Sequence, residues 1–129
     1  MKLAHIQQIL QAEVLTGAGS LDREVGMAFS ADLISDILVM CKEHTLLLTG
    51  MTHIQIVKTA EICDLAAVVF VRGKRPGPEA IALAAQNDIP LLLSSLTMYE
   101  SAGLLYCAGL PGISRNPDPC GRAKGERTG

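Results

Sequence analysis

Thr45-Leu46-Leu47-Leu48-Thr49-Gly50-Met51-Thr52 is an apolar run that stops abruptly in a hydroxyl, a glycine and a second hydroxyl. The same design recurs twice. Leu65 to Val71 runs into Arg72-Gly73, and Pro90 to Leu93 runs into Ser94-Ser95, so the polar tips stand 23 and 22 residues apart. Each tip leads into a stretch with helical apolar spacing. Strand, tip and helix repeated at this interval is the pattern of βα units feeding a parallel sheet. Strands of near-continuous Leu, Val and Ile suit burial on both faces. The spacing predicts strands over 45–49, 66–72 and 90–94, followed by helices over 52–63, 78–87 and 97–108. Ligands of such sheets gather at the carboxyl ends of the strands, where all three tips would meet.

Upstream, Leu3, Ile6, Ile9 and Leu10 mark one face of a short helix, and Ala12 to Thr16 reads as a brief strand. Gly17-Ala18-Gly19-Ser20 is a turn, and Val25, Met27 and Phe29 alternate as in a half-buried strand. Asp32 is placed to cap a helix whose apolar stripe is Leu33, Ile34, Ile37, Leu38 and Cys41. Thr52-His53-Ile54-Gln55 and Thr97-Met98-Tyr99-Glu100 both match the capping box. Gly77-Pro78-Glu79 puts proline at a first helical position.

The chain has 129 residues, one domain's worth, and is 49% hydrophobic with no Trp, two Phe and two Tyr. Its core is therefore aliphatic. Net charge is −2, divided as −4 over residues 1–110 and +2 over 111–129. A mildly acidic body with no basic stripe argues against nucleic acid as a partner. Residues 111–129 hold almost nothing apolar and are expected to be a disordered basic tail. Cys41, Cys63, Cys107 and Cys120 include no CxxC and no zinc-finger spacing. The first three are expected on buried helix faces and the fourth in the tail, as suits a reducing cytoplasm. His5, Gln7, Gln8 and Gln11 interrupt any signal-peptide core, and no apolar run approaches the ~20 residues of a membrane helix.

Candidate chemistry lies at the tips. Thr49, Gly50 and Thr52 combine hydroxyls, a glycine that admits close approach and a helix start, the parts of an anion site. A turn and a cap explain them equally. Arg72-Gly73-Lys74-Arg75 is the densest basic cluster of the first 110 residues; Arg72, Gly73 and Lys74 would clamp a phosphate or carboxylate. Ser94, Ser95 and Thr97 would donate to the same ligand, or only cap the next helix. There is no GxxxxGK[ST], no GxGxxG after a strand and no GxSxG elbow. The three His residues are scattered, each without an obvious carboxylate or nucleophile partner. Asp22, Asp32 and Asp36 could hold Mg²⁺, but a cap and a solvated face account for them as well. No catalytic residue, metal or cofactor is assigned from these residues.

Leu21-Asp22-Arg23-Glu24-Val25-Gly26, Ala31 to Leu38, Leu46 to Gly50 and Ala67 to Gly73 together resemble the DRTGG domain family, over about residues 1–110. Asp22, Arg23 and Gly26 match the namesake motif, while Glu24-Val25 replace its Thr-Gly; with Asp32 they form the family-motif residues. The resemblance implies an α/β fold related to the N-terminal domain of HPr kinase and the uridine-nucleotide-binding domain of Mur ligases. It also implies a non-catalytic regulatory or sensor module, dimeric and prokaryotic. The expected function is binding of a small anionic metabolite, above all a nucleotide, at the carboxyl edge of the sheet. The alternative is a protein–protein interaction module, acting through dimerisation or partner docking with no small ligand. A small phosphoester or acyl-phosphate enzyme is the least supported reading.

Overall fold

The computed structural model describes residues 1–113, so the segment expected to be a disordered tail lies, from 114 on, outside the described residues. Among the described residues, five strands form one sheet in the order β1-β5-β4-β3-β2. They are β1 (Glu13–Thr16), β2 (Met27–Ser30), β3 (Thr45–Thr49), β4 (Ala67–Phe70) and β5 (Leu91–Leu93). The helices are α1 (Leu3–Leu10), α2 (Ile34–Met40), α3 (Ile54–Ile62), α4 (Pro78–Gln86) and α5 (Met98–Cys107). Strands β2 to β5 are mutually parallel, in registers such as Leu48 with Val69 and Val69 with Leu92. The three βα units read from the sequence thus supply the middle of a mostly parallel sheet.

Successive strand residues point to opposite faces, and the core divides accordingly. Leu46, Leu48, Val69 and Leu92 pack with Leu3, Ile6 and Leu10 of α1 and Leu105 of α5. Leu47, Val68, Phe70 and Leu91 pack with Ile37 of α2, Ile56 and Val57 of α3, and Ala80 and Ala84 of α4. The result is a helix–sheet–helix sandwich whose central strands are covered on both sides.

The one antiparallel neighbour is β1, which pairs with β5 at the sheet edge with a register shift between Val14 and Thr16. Thr16 secures that junction. Its buried hydroxyl donates to the Ile89 carbonyl at 2.6 Å and accepts from the Leu91 amide at 3.0 Å. At the opposite edge, the Ala28 amide donates to the Pro111 carbonyl at 2.9 Å, so residues 111–113 begin along β2. No helix among the described residues is long and apolar enough to cross a membrane.

Three local expectations need correction. Helix α3 begins at Ile54 with His53 as N-cap and no side-chain cap, so Thr52 does not close a capping box; the turn after Thr49 uses up the extra residues. Helix α2 is capped by no side chain either, because Asp32 turns away from it. Of its expected apolar stripe, Ile37 is buried and Ile34 and Cys41 pack against the same core, while Leu33 and Leu38 are exposed. The third correction is Cys107, which is exposed. Helix α5 buries Ser101 and Leu105, and two residues past Leu105 the helix has turned by roughly 200°.

Cys41 and Cys63 are half-buried and close the C-termini of α2 and α3. The Ile37 carbonyl accepts from the Cys41 amide at 2.9 Å and faces the Cys63 Sγ at 4.0 Å. Burial, followed by the nearby Cys63, pushes the Cys41 thiol from 9.0 up to about 11. Folding therefore favours the neutral thiol. The associated stability is fully present below pH 9.0 and is lost as pH rises through about 11. Melting temperatures across pH 8 to 11 should fall more steeply for the native chain than for Cys41→Ser, which keeps the size and cannot ionise there. Parallel profiles would contradict this assignment.

Candidate functional site

Each parallel strand delivers its last residue to the same edge, and the chain there is unusually constrained. Asp32, just beyond β2, reaches across to the end of β3. One carboxylate oxygen accepts from the Thr49 hydroxyl at 3.0 Å and from the Gly50 amide at 2.8 Å. The Thr49 oxygen in turn accepts from the Met51 amide at 3.2 Å. Two donors expected to face a ligand are thus held by an internal carboxylate. The signal was available: a carboxylate just past a parallel strand must land at the carboxyl edge.

Arg72 follows β4 and stands beside this latch. A Cβ added at Gly50 would lie 3.3 Å from Arg72 Nη2 and 3.6 Å from the Asp32 carboxylate, so the absent side chain makes room for the guanidinium. Arg72 has φ +60° and Gly73 φ +64°. Left-handed backbone costs a non-glycine residue roughly 1–2 kcal/mol. Gln11, Asp64 and Asp88 adopt it where helices α1, α3 and α4 end, and His44 in the turn before β3; among the described residues Arg72 alone does so directly after a strand. The Arg72 amide donates to the Leu96 carbonyl at 2.7 Å, and the Gly73 amide to the Ser94 carbonyl at 2.8 Å. These two bonds pin the strained turn to the loop after β5. Strain held in place by its surroundings collects at ligand clamps and switches.

The cationic side chains of this turn are not equivalent. Arg75 is committed to Glu13 through both carboxylate oxygens, at 2.8 and 2.7 Å. Arg72 and Lys74 are exposed and form no ion pair among the described residues. On the far side, Ser94 is fully buried, and its hydroxyl shares a 3.1 Å bond with Ser101 and accepts from the Leu96 amide at 3.2 Å. Thr97 forms the capping box of α5 with Glu100. The Thr97 amide and hydroxyl hold the Glu100 carboxyl below the usual carboxylate range. Ser95 is exposed and Thr52 half-buried. The edge therefore brings together Asp32, Thr49, Gly50, Arg72, Gly73 and Lys74, whereas the hydroxyls of Ser94 and Thr97 serve the local structure.

The family-motif loop lies at the other end of the sheet. Arg23 Nη1 donates to the Ala66 carbonyl just before β4, and Nη2 to the Asp88 carbonyl between α4 and β5. An ion pair to the Asp88 carboxylate at 3.8 Å adds to the clasp. The Gly26 amide donates to the His44 carbonyl, which leads into β3, while Asp22 is exposed. This loop ties the amino ends of the parallel strands together. It borders a cleft of about 410 Å³ lined by Arg23, His44 and the carboxylates of Glu43, Glu61, Asp64 and Asp88. The place of Asp22 and Arg23 just before the strand read from Val25, Met27 and Phe29 was the available signal, because residues that lead into a parallel strand lie at its amino end, opposite the tips.

Comparison with known proteins gives a family and a fold. The DRTGG domain family matches residues 5–107. No curated protein matches the chain. Among six matching solved chains is the CBS and DRTGG regulatory region of Clostridium perfringens pyrophosphatase, solved with its activator diadenosine tetraphosphate. It is 18% identical, with a TM-score of 0.71, over 81% of this chain and 45% of that one. The present chain thus corresponds to less than half the length of that regulatory region.

Proposed function

This chain belongs to the DRTGG domain family, and from that premise we propose that it is a non-catalytic regulatory module that binds an anionic metabolite, a nucleotide, at the carboxyl edge of its sheet. The observation that carries the reading is Arg72. Its guanidinium lies over Gly50 with no ion-pair partner among the described residues, on a backbone held in a costly conformation by two hydrogen bonds. In this reading Arg72 and Lys74 take the phosphates and Gly73 admits them closely. Asp32 holds the Thr49–Gly50 tip and meets the ligand's hydroxyls. The nucleotide-bound state of the pyrophosphatase regulatory region supports the choice of ligand class. The setting proposed is a reducing cytoplasm, where Cys41 and Cys63 stay thiols.

A ligand regulates only by binding two arrangements unequally, and a homodimer would supply them. The exposed apolar face of α2, with Leu33, Leu38 and Val39, together with Ile62 of α3, favours such an interface. It is also the observation behind the second reading, a protein-docking module with no small ligand.

Calorimetric titration with a nucleotide panel tests the first reading. Losing a charge-assisted bond worth ~1.5–3 kcal/mol should weaken binding by about ten- to a hundredfold in Arg72→Ala. Arg72→Lys should recover only part of it, because the planar fork is gone. Arg72→Gly should lose binding yet melt higher than the native chain, since glycine relieves the left-handed strain. Equal affinities in native and variant chains would move the site elsewhere. Absence of binding by any nucleotide, with a dimeric mass by light scattering, would favour the docking module.

A further inference from the structure

Helix α5 and the edge strand β2 do not close against each other, and the space between them is a groove of about 970 Å³. Its walls are mainly apolar: Ala28 of β2, Leu48 of β3, Leu96 before α5, and Tyr99 and Leu104 of α5. Its volume is at the upper end for small-molecule sites, and its chemistry is what such sites use, apolar walls with few polar groups.

The head of the groove meets the strained turn. Leu96 lines the groove, and its carbonyl accepts the Arg72 amide. Ser30 and Leu48 line it as well, two residues before Asp32 and Gly50, over which the Arg72 guanidinium lies. The polar groups at this head are of mixed sign. Arg72 offers a cation, Asp32 a carboxylate with one oxygen engaged, and Glu100 a carboxylate kept ionised by Thr97. A simple fatty anion would match the cation and be repelled by both acids. A ligand with phosphate for the guanidinium, vicinal hydroxyls for the carboxylates and a flat apolar body for the groove matches all three.

We propose that the α5–β2 groove is the nucleoside subsite, receiving the base between Ala28 and Leu104 while the ribose passes Asp32 and Glu100 and the phosphates reach Arg72. The assignment rests on the phosphate-site reading of Arg72 above, and it names a surface that the reading does not use.

Gly103 provides the means of testing it. It is exposed on α5, lines the groove, and a Cβ there would meet no atom within 4 Å. Gly103→Phe therefore starts from open space and projects a bulky ring at the groove wall, and any residue other than Pro improves on glycine inside a helix. The probes are the four common ribonucleoside triphosphates and inorganic tripolyphosphate, titrated calorimetrically, with molecular mass followed by light scattering. At least one nucleoside triphosphate should bind the native chain tenfold or more tighter than tripolyphosphate. Gly103→Phe should reduce that affinity to the tripolyphosphate level and leave tripolyphosphate itself unchanged, whereas Gly103→Ser should behave as the native chain. Undiminished nucleotide affinity in Gly103→Phe would overturn the subsite and leave the Arg72 site standing. An altered mass with undiminished affinity would likewise overturn it, by showing that the groove joins two copies of the chain. Native protein that binds none of the five probes would remove the phosphate site and the subsite together.

Discussion

Replacing Phe70 with Ala is expected to lower the free energy of unfolding by ~3–5 kcal/mol. Phe70 is the largest fully buried side chain, on the central strand β4, against Ile56, Val57, Ala80, Ala84 and Leu91. The surrounding residues are aliphatic or small, on strands and helices fixed by their own hydrogen bonds, so they cannot collapse to refill an aromatic volume. Phe70→Leu keeps most of the volume and should cost under about 1.5 kcal/mol. The position also matters for the site, because the Phe70 carbonyl accepts the Ser94 amide at 2.8 Å, two residues before Arg72. Urea unfolding measures both variants. A Phe70→Ala midpoint close to that of Phe70→Leu, at unchanged slope, would mean that the interior is far more plastic than its packing implies.

Gly17→Val is expected to destabilise by roughly 2–5 kcal/mol, combining left-handed strain with overpacking. Gly17 has φ +84°, and an added Cβ would lie 2.8 Å from Pro90 Cα, which is backbone and cannot rotate aside. The clash falls where the turn after β1 passes the start of β5, beside the Thr16 bonds to Ile89 and Leu91. Gly19 is an internal control in the same turn, with no atom within 4 Å of its added Cβ. Gly19→Val should therefore be almost neutral. Thermal melts of the two variants should differ widely, and similar melts would show that the turn relocates freely.

The parts of this fold that could be read from sequence are those whose physics is local or periodic. Strands β3, β4 and β5 were legible because burial on both faces leaves continuous apolar runs, and the α5 capping box because both partners lie within four residues. Helix α2 was legible only in part. Ile34, Ile37 and Cys41 of its stripe meet the core, but Leu33 and Leu38 do not, because spacing cannot distinguish a position that meets the core from one that meets solvent or another molecule. Asp32 looked like a cap because it precedes a helix, although its place just past β2 already put it at the edge where the Thr49 and Gly50 donors claim it. The tips were correctly placed at one edge. Which of their hydroxyls remained available was settled by residues distant in sequence or packed from another element, Asp32 for Thr49 and Ser101 for Ser94.

The pairing of β1 with β5 carries a consequence for how the chain is made. Strand β1 has no other neighbour in the sheet, so Glu13 to Thr16 leave the ribosome with nothing to pair with until Leu91 to Leu93 follow. At ordinary synthesis rates that interval is roughly 4 to 15 s. Helix α1 can settle on β3 and β4 sooner, but the helix it packs beside, α5, follows later than β5. The parallel units can begin to assemble in chain order, but the sheet closes only when its last strand arrives to meet its first. During that interval the unpaired backbone of β1 is a surface for chaperones rather than for the fold itself.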